Sequence, residues 1–316
     1  MTDEKTQNSD PLNKDPVNKG PLNKDQGHEW LSKAAVLTEA LPFMRRYSGH
    51  RVVVKFGGGA MGEAATLTSF AKDMVLLHQV GTCPIVVHGG GPQIGAMLEK
   101  LDIPSAFVNG LRVTDHDTVS VVEMVLSGAI NKAIVAAIHD AGGMAVGISG
   151  KDGRLITAGK LAGKADEAGS AIDLGFVGEP KLINTSVVDA LIGAMMIPVI
   201  APVAAGENND TFNINADTAA GAVSAAVEAT RLLMLTDVPG VLDGDGNLIP
   251  KLTINEASAM IADGTINGGM IPKVETCINA VAGGTDGAVI LDGRQKHAVL
   301  VELFTEHGIG TIITRD

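Results

Sequence analysis

Two short apolar runs each end in a basic residue followed by a row of glycines. Val52-Val53-Val54 leads into Lys55-Phe56-Gly57-Gly58-Gly59, and Ile85-Val86-Val87 leads into His88-Gly89-Gly90-Gly91-Pro92. A strand that ends in glycines and then enters a helix brings bare backbone N–H groups to the carboxyl edge of a parallel sheet. Such an edge binds anions, because no side chain blocks the approach and the helix N-terminus carries partial positive charge. Two such loops predict two anionic groups held close together, and Lys55 adds a full positive charge. Neither the dinucleotide pattern G-x-G-x-x-G nor the Walker pattern G-x-x-x-x-G-K-[ST] is clearly made. Four further clusters carry chemistry. Asn109-Gly110-Leu111-Arg112-Val113-Thr114 sets an arginine in a loop, and Asn213-Ile214-Asn215-Ala216-Asp217 sets amides and a carboxylate before a helix. Thr236-Asp237-Val238-Pro239-Gly240-Val241 follows a strand, and Gly268-Gly269-Met270-Ile271-Pro272-Lys273 opens a helix with a second lysine.

The elements that must position these residues alternate. Strands are predicted at 51–56, 84–88, 144–149, 196–201, 231–236, 287–291 and 309–313. Helices are predicted at 63–80, 92–101, 117–140, 185–194, 217–229, 271–282 and 295–306. This alternation predicts an α/β fold with helices on both faces of a mainly parallel sheet. The stretch 152–184 breaks the rhythm and reads as a hairpin excursion. Thr253-Ile254-Asn255-Glu256 reads as a capping box, with Asp263-Gly264 ending its helix. Residues 29–47 read as an amphipathic helix, with Trp30, Ala34, Leu37, Leu41 and Met44 on one stripe and Pro42 expected to kink or break it near Leu41. Residues 1–27 hold a polar five-residue repeat, Pro11-Leu12-Asn13-Lys14-Asp15 and two near copies, which predicts a disordered tail.

Composition sets the class. The 316 residues are 45% hydrophobic and only 3% aromatic, so Ala, Val, Ile and Leu must fill the core of a buried sheet. A net charge of −12 argues against nucleic acid and anionic membranes as partners, so any phosphate chemistry must concentrate its positive charge locally. Two distant cysteines, Cys83 and Cys277, read as core thiols in a reducing, cytoplasmic setting. No apolar run of about 18 residues is seen, so no membrane-spanning helix is expected.

The ordered set of motifs resembles the amino acid kinase family from about Ala34 to the C-terminus, and within it the branch that phosphorylates N-acetyl-L-glutamate. That resemblance implies a three-layer αβα sandwich, with residues 49–229 as an N-lobe for acyl substrate and dimerisation and residues 230–316 as a C-lobe for nucleotide. Residues 28–48 would be an added N-terminal helix. It implies that Lys55 and Lys273 stabilise the transferring phosphoryl group while Asp217 positions both. Gly90, Gly91, Arg112 and Asn213 would hold the substrate. Gly57, Gly58, Asp237, Gly240, Gly268, Gly269 and Met270 would line the site for ATP, whose Mg²⁺ would be held mainly by the phosphates. The chemistry agrees: a carboxylate nucleophile with a pKa of about 4.3 is ionised at neutral pH and needs charge neutralisation rather than a general base.

The resemblance further implies a homohexamer built as a trimer of dimers through the N-terminal helix. It also implies feedback inhibition by L-arginine at Tyr47, Glu302, Gly308 and Gly310, weakened by Val289 where relatives carry a histidine. A PII-type signalling protein is a further expected partner. Two alternatives stay open: another family member acting on glutamate, aspartate, carbamate or UMP, and a non-catalytic arginine or nucleotide sensor on the same fold. Other residues read as structural. His88 is expected to be buried against a backbone carbonyl, Asp115-His116-Asp117 to start a helix rather than bind metal, and Met195-Met196 to pack in the core.

Overall fold

The structure, a computed structural model, describes residues 24–61, 64–108, 110–162 and 173–316. The predicted tail, residues 1–27, lies outside them up to residue 23, as do Asn109 and part of the 152–184 excursion. An eight-stranded sheet organises the chain. Its strands are β1 (Arg51–Phe56), β2 (Cys83–His88), β5 (Ala145–Ser149), β8 (Ile197–Ala201), β11 (Arg231–Thr236), β12 (Lys251–Thr253), β13 (Gly287–Asp292) and β14 (Thr311–Thr314), in the order β12-β14-β13-β11-β1-β2-β8-β5. Every pairing is parallel except β13 with β14. Of the two central strands, β11 is apolar along its whole interior and β1 is apolar up to the buried Lys55 near its carboxyl end, as burial on both faces requires.

Side chains alternate between two cores. Val52, Val54 and Phe56 of β1 face one, and Val53 faces the other. The first core is closed by α2 (Ala64–Gln79), α3 (Gly91–Lys100), α4 (His116–Glu123), α5 (Asn131–Asp140) and α10 (Ala298–Phe304). The second is closed by α6 (Ser186–Gly193), α7 (Ala216–Ala226), α8 (Ile254–Ala262) and α9 (Ile271–Gly283). The result is the expected three-layer αβα sandwich. The capping box at Thr253 and Glu256 is formed, and Gly264 follows α8 at φ 84°.

Four differences from the sequence reading have physical causes. First, α1 runs unbroken from Lys24 to Tyr47 with Pro42 inside it. Its last turn is held by burial, since Tyr47 is buried and Phe43 and Met44 pack on the first core, and that offsets the lost hydrogen bond. Second, the excursion at 152–184 is more than a hairpin. β6 (Ile156–Lys160) and β7 (Val177–Ile183) close with β9 (Val203–Gly206) and β10 (Thr211–Ile214) into a separate four-stranded ring. A two-stranded pair, β3 (Phe107–Val108) and β4 (Leu111–Arg112), also forms. Third, α4 and α5 are joined by a π-helical turn, Met124–Ile130, so that His116–Asp140 is one continuous helix long and apolar enough to cross a membrane. Val122, Val125, Leu126, Ile134 and Ile138 bury its apolar face in the first core. Fourth, Met195 is exposed at φ 58°, in the turn before β8. Residues 43–316 form one compact unit.

Candidate active site

The glycine loops meet at the carboxyl edge of β1 and β2. These strands are in register, with Lys55 beside Val87 and Phe56 beside His88, so both loops leave the sheet at one level. They touch there: a methyl group placed on Gly89 would lie 3.7 Å from the Gly57 Cα and 3.7 Å from the Ala216 side chain. Ala216 opens α7, so the start of that helix arrives at the same point.

Asp217 follows at once. Its Oδ1 lies 2.9 Å from Lys55 Nζ, and its Oδ2 accepts a hydrogen bond from Lys273 Nζ at 2.9 Å. One carboxylate therefore spaces two ammonium groups carried by elements 218 residues apart in the chain (273 − 55). Burial alone would raise the Asp217 pKa, but the charges of Lys55 and Lys273 outweigh it and hold the carboxyl below its usual range. Asn215, not Asp217, caps α7, by accepting from the backbone N–H groups of Asp217 and Thr218. The Asp217 side chain is thus left for the lysines. Lys55 is itself buried, and a methyl group on Gly57 would lie 2.9 Å from its Nζ. That glycine keeps the space around the ammonium open.

Arg112 sits on β4 and turns back to the second loop. Its Nη2 donates to the Gly91 carbonyl at 3.0 Å, its Nη1 donates to Ser105 Oγ, and its guanidinium lies 4.5 Å from the centre of the Phe107 ring. It is buried, which pulls its pKa down from the usual guanidinium value. Thr114 Oγ1 donates to the Arg112 carbonyl at 2.8 Å and accepts from Asn213 Nδ2 at 3.4 Å. Asn213 is carried there by β10 of the ring, paired with Val177 of β7. Gly90, Gly91, Arg112 and Asn213 therefore form one connected patch beside the two lysines.

His88 supports that patch from below. It is fully buried, with Nδ1 2.9 Å from the Gly89 carbonyl and Nε2 3.2 Å from Asn131 Nδ2. Burial lowers its pKa to about 4, the Lys132 charge adding to this while the Gly89 carbonyl opposes it, so the ring is neutral near pH 7. Gly90 has no room for a side chain, because a methyl group would press on Leu126 and Ile130 of the π-helical turn.

The remaining expected loops lie further along the same edge. Asp237 follows β11 and accepts from Thr236 Oγ1 at 3.1 Å. Gly240, at φ 153°, has Thr311 behind it, whose hydroxyl accepts from Val241 N at 2.8 Å. Gly268 and Gly269 lead through Met270 into α9, which carries Lys273. Asp115 caps α4 by accepting from Thr118 N at 2.8 Å, as expected of a helix start, and no metal-binding group of three or more acidic, His or Cys side chains occurs among the described residues. Asp217 is committed to the two lysines rather than to a metal ion.

A second group of expected residues lies elsewhere. Glu302 Oε2 accepts from Ile309 N at 2.7 Å and Gly310 N at 3.1 Å, and burial raises its pKa although those two bonds oppose it. Gly308, at φ 60°, lies against that carboxylate. Tyr47 is buried, with the Arg231 guanidinium 5.8 Å from its ring centre, and the charge of Arg231 acts on Glu302 as well. Arg231 joins Tyr47 to Glu302, yet the sequence reading passes over it. The available signal is a lone cation opening the apolar run Leu232-Leu233-Met234-Leu235. Val289 is fully buried in β13.

Comparison with known proteins gives the chain's relatives. A sequence profile of the amino acid kinase family matches residues 50–292. Over 291 residues the chain is 60% identical to an acetylglutamate kinase of Rhodospirillum centenum, covering 91% of this chain and 95% of that one. Among solved structures, an N-acetylglutamate synthase of Neisseria gonorrhoeae, complexed with coenzyme A and N-acetyl-glutamate, superposes with a TM-score of 0.79 at 25% identity. The match covers 90% of this chain and 63% of the synthase, so the chain spans less than two thirds of that protein. Carbamate kinase from Giardia lamblia bound to AMP-PNP shares the fold, with a TM-score of 0.61 at 18% identity over 85% of this chain and the whole of the other.

Proposed function

The chain belongs to the amino acid kinase family, and from that membership we propose that it transfers the γ-phosphoryl group of ATP to the side-chain carboxylate of N-acetyl-L-glutamate, a step of arginine biosynthesis. The observation that carries this reading is the Asp217 carboxylate shared by Lys55 and Lys273 beside two glycine loops, in a chain 60% identical to an acetylglutamate kinase along nearly its full length. In the reaction a side-chain carboxylate oxygen attacks the γ-phosphorus, the bond to the β–γ bridging oxygen breaks, and ADP leaves with that electron pair. The acceptor is already ionised at neutral pH, so no base has to remove a proton. The barrier to be lowered is the approach of one anion to another. Two preorganised ammonium groups, spaced by one carboxylate, neutralise the charge on the phosphoryl oxygens and need not reorganise as the reaction proceeds.

In this reading Arg112 and Asn213 hold the substrate's α-carboxylate and amide, with Gly90 and Gly91 donating backbone N–H groups. Arg112 is anchored on Gly91, which fixes the acceptor relative to the lysines, and in-line placement supplies the rest. Gly57, Gly58, Asp237, Gly240 and the stretch Gly268–Met270 form the nucleotide site. Residues 49–229 serve the acyl substrate and 230–316 the nucleotide. Mg²⁺ bound to ATP would screen the phosphate charge.

We also read the Tyr47, Glu302, Gly308 and Gly310 region as the arginine-inhibition site. Arg231 stands there with its charge directed at Glu302. The enzyme is read as a cytoplasmic hexamer of three dimers linked by α1, open to control by a PII-type protein. The activity is tested by trapping the acyl phosphate with hydroxylamine while monitoring ADP release, offering N-acetyl-L-glutamate, glutamate, aspartate, bicarbonate with ammonia, and UMP in turn. Hydroxamate formed from N-acetyl-L-glutamate alone supports the reading. Preference for any other acceptor overturns it.

A further inference from the structure

A cavity of about 460 Å³ opens between the first half of α2 and the segment joining β13 to α10. That is the size of a small-metabolite site. It borders the loop after β11, where Gly293 N donates to the Thr236 carbonyl at 2.8 Å, but opens on the other face of the sheet from the Asp217 and Lys273 helices. Its floor is Phe70, Leu235 and Val299, which belong to the first core, whereas the helices carrying Asp217 and Lys273 pack on the second, across the sheet. Its rim is basic, with Lys72 from α2 and Arg294, Lys296 and His297 from the joining segment. Arg294 is paired with Asp292, Nη2 to Oδ2 at 2.8 Å. Lys72 and Lys296 have no ion pair or hydrogen bond to another described residue. The chain's net charge is −12, so these cations are local positive charge in an acidic protein.

The cavity is also built around a held imidazole. Asp73 is nearly fully buried, and its Oδ1 lies 2.5 Å from His297 Nδ1. A buried carboxylate on a histidine Nδ1 fixes the ring's orientation. His297 Nε2 is engaged by no described residue. The backbone of His297 takes the left-handed conformation, φ 60°, which histidine tolerates better than most residues. None of these groups has a part in the phosphoryl transfer described above.

We infer that this cavity is a second ligand site, which takes a small organic anion, a phosphate or carboxylate on an apolar body, with the anion facing Lys72, Lys296 and His297 and the body lying on Phe70, Leu235 and Val299. Two lysine ammonium groups and an oriented imidazole receive the headgroup, and the hydroxyls of Thr66 and Ser69 lie within the same lining. The site would act on nucleotide binding only indirectly, through the Arg294 charge that already faces Asp237.

Isothermal titration tests it on the full chain, with AMP-PNP and N-acetyl-L-glutamate saturating the catalytic site. The probes are phenyl phosphate, benzoate and, as a neutral control, benzyl alcohol. The expected result is saturable one-to-one binding of phenyl phosphate or benzoate, the better of the two identifying the headgroup, with none for benzyl alcohol. The double variant Lys72→Ala/Lys296→Ala should weaken that binding at least ~10-fold while leaving acyl-phosphate formation unchanged. His297→Asn, which keeps a residue tolerant of the left-handed backbone, should weaken it too. Three results overturn the inference: no saturable heat with either anion, equal binding of benzyl alcohol, or binding unaltered in the double lysine variant.

Discussion

At the scale of single residues, charge placement decides most of what this chain can do. Lys55 and Lys273 meet only through Asp217, so each contributes a fixed charge where the phosphoryl group would pass. Replacing either by alanine should lower turnover at least ~10²-fold with a smaller change in KM, because a preorganised charge aimed at the transition state is lost. Steady-state kinetics checks this. A variant that raised KM alone would mean that the lysine only binds substrate. Arg112 predicts the reverse pattern. Its planar guanidinium already spans Gly91 and Ser105, and lysine cannot reproduce a two-pronged grip. Arg112→Lys should mainly raise the KM for N-acetyl-L-glutamate, and an unchanged KM would remove Arg112 from the substrate site.

At the scale of elements, the substrate loop is only as well placed as the helix behind it. The π-helical turn Met124–Ile130 presses on Gly90, and Asn131, at its end, ties His88 to the carbonyl of Val199 on β8. The buried His88 gives this arrangement a pH signature. Its pKa in the fold, about 4, lies below the ordinary 6.5, so the folded state binds fewer protons than the unfolded state between these values. The stabilisation is complete above about pH 6.5 and is lost as pH falls towards 4, by on the order of 3 kcal/mol at most. Asp73, with its pKa raised to about 6 by burial, acts with opposite sign and loses stability as pH rises from about 4 to 6. Denaturant unfolding at a series of pH values should therefore show a His88→Asn variant less acid-sensitive than the parent over this interval. An unchanged slope would place the acid sensitivity elsewhere.

At the scale of the whole molecule, the N-terminal segment separates from the rest. The compact unit begins at Phe43, and Tyr47 is part of its core, so a clean truncation ends at Pro42 rather than beyond α1. Leu31, Val36 and Leu37 of α1 are exposed apolar residues of the kind that another subunit covers. Deleting residues 1–42 should leave an active but smaller assembly, and light scattering that shows the same size with and without them would refute the role given to α1. Arginine inhibition belongs to this scale as well. Glu302 spends Oε2 on two backbone N–H groups, so in the proposed inhibition site Oε1 would be the oxygen that meets arginine. Millimolar L-arginine should slow the initial rate, and Glu302→Ala should relieve it. Inhibition that survives unchanged in that variant would move the site.

The sequence by itself determined the layered α/β plan, because alternation of apolar strands with periodic helices leaves few other ways to bury both. It also marked the glycine loops, Arg112, Asn213, Asp217 and the lysines, since residue types that handle anions stand out at strand ends. Other features depended on tertiary structure. The ring of β6, β7, β9 and β10 was out of reach, because strands of four to seven residues have too few repeats to show a period and form only when distant partners satisfy their backbones. Pro42 was misjudged for a related reason: local rules weigh a lost hydrogen bond but not the burial of Tyr47, Phe43 and Met44 that offsets it. The joining of Lys55 to Lys273 through Asp217, the support of Gly89 by His88, and the basic cavity beside Asp73 and His297 all rest on contacts between segments far apart in the chain. Such contacts leave no periodic trace in a sequence, because they are set by which strand edges and helix ends the folded sheet brings together.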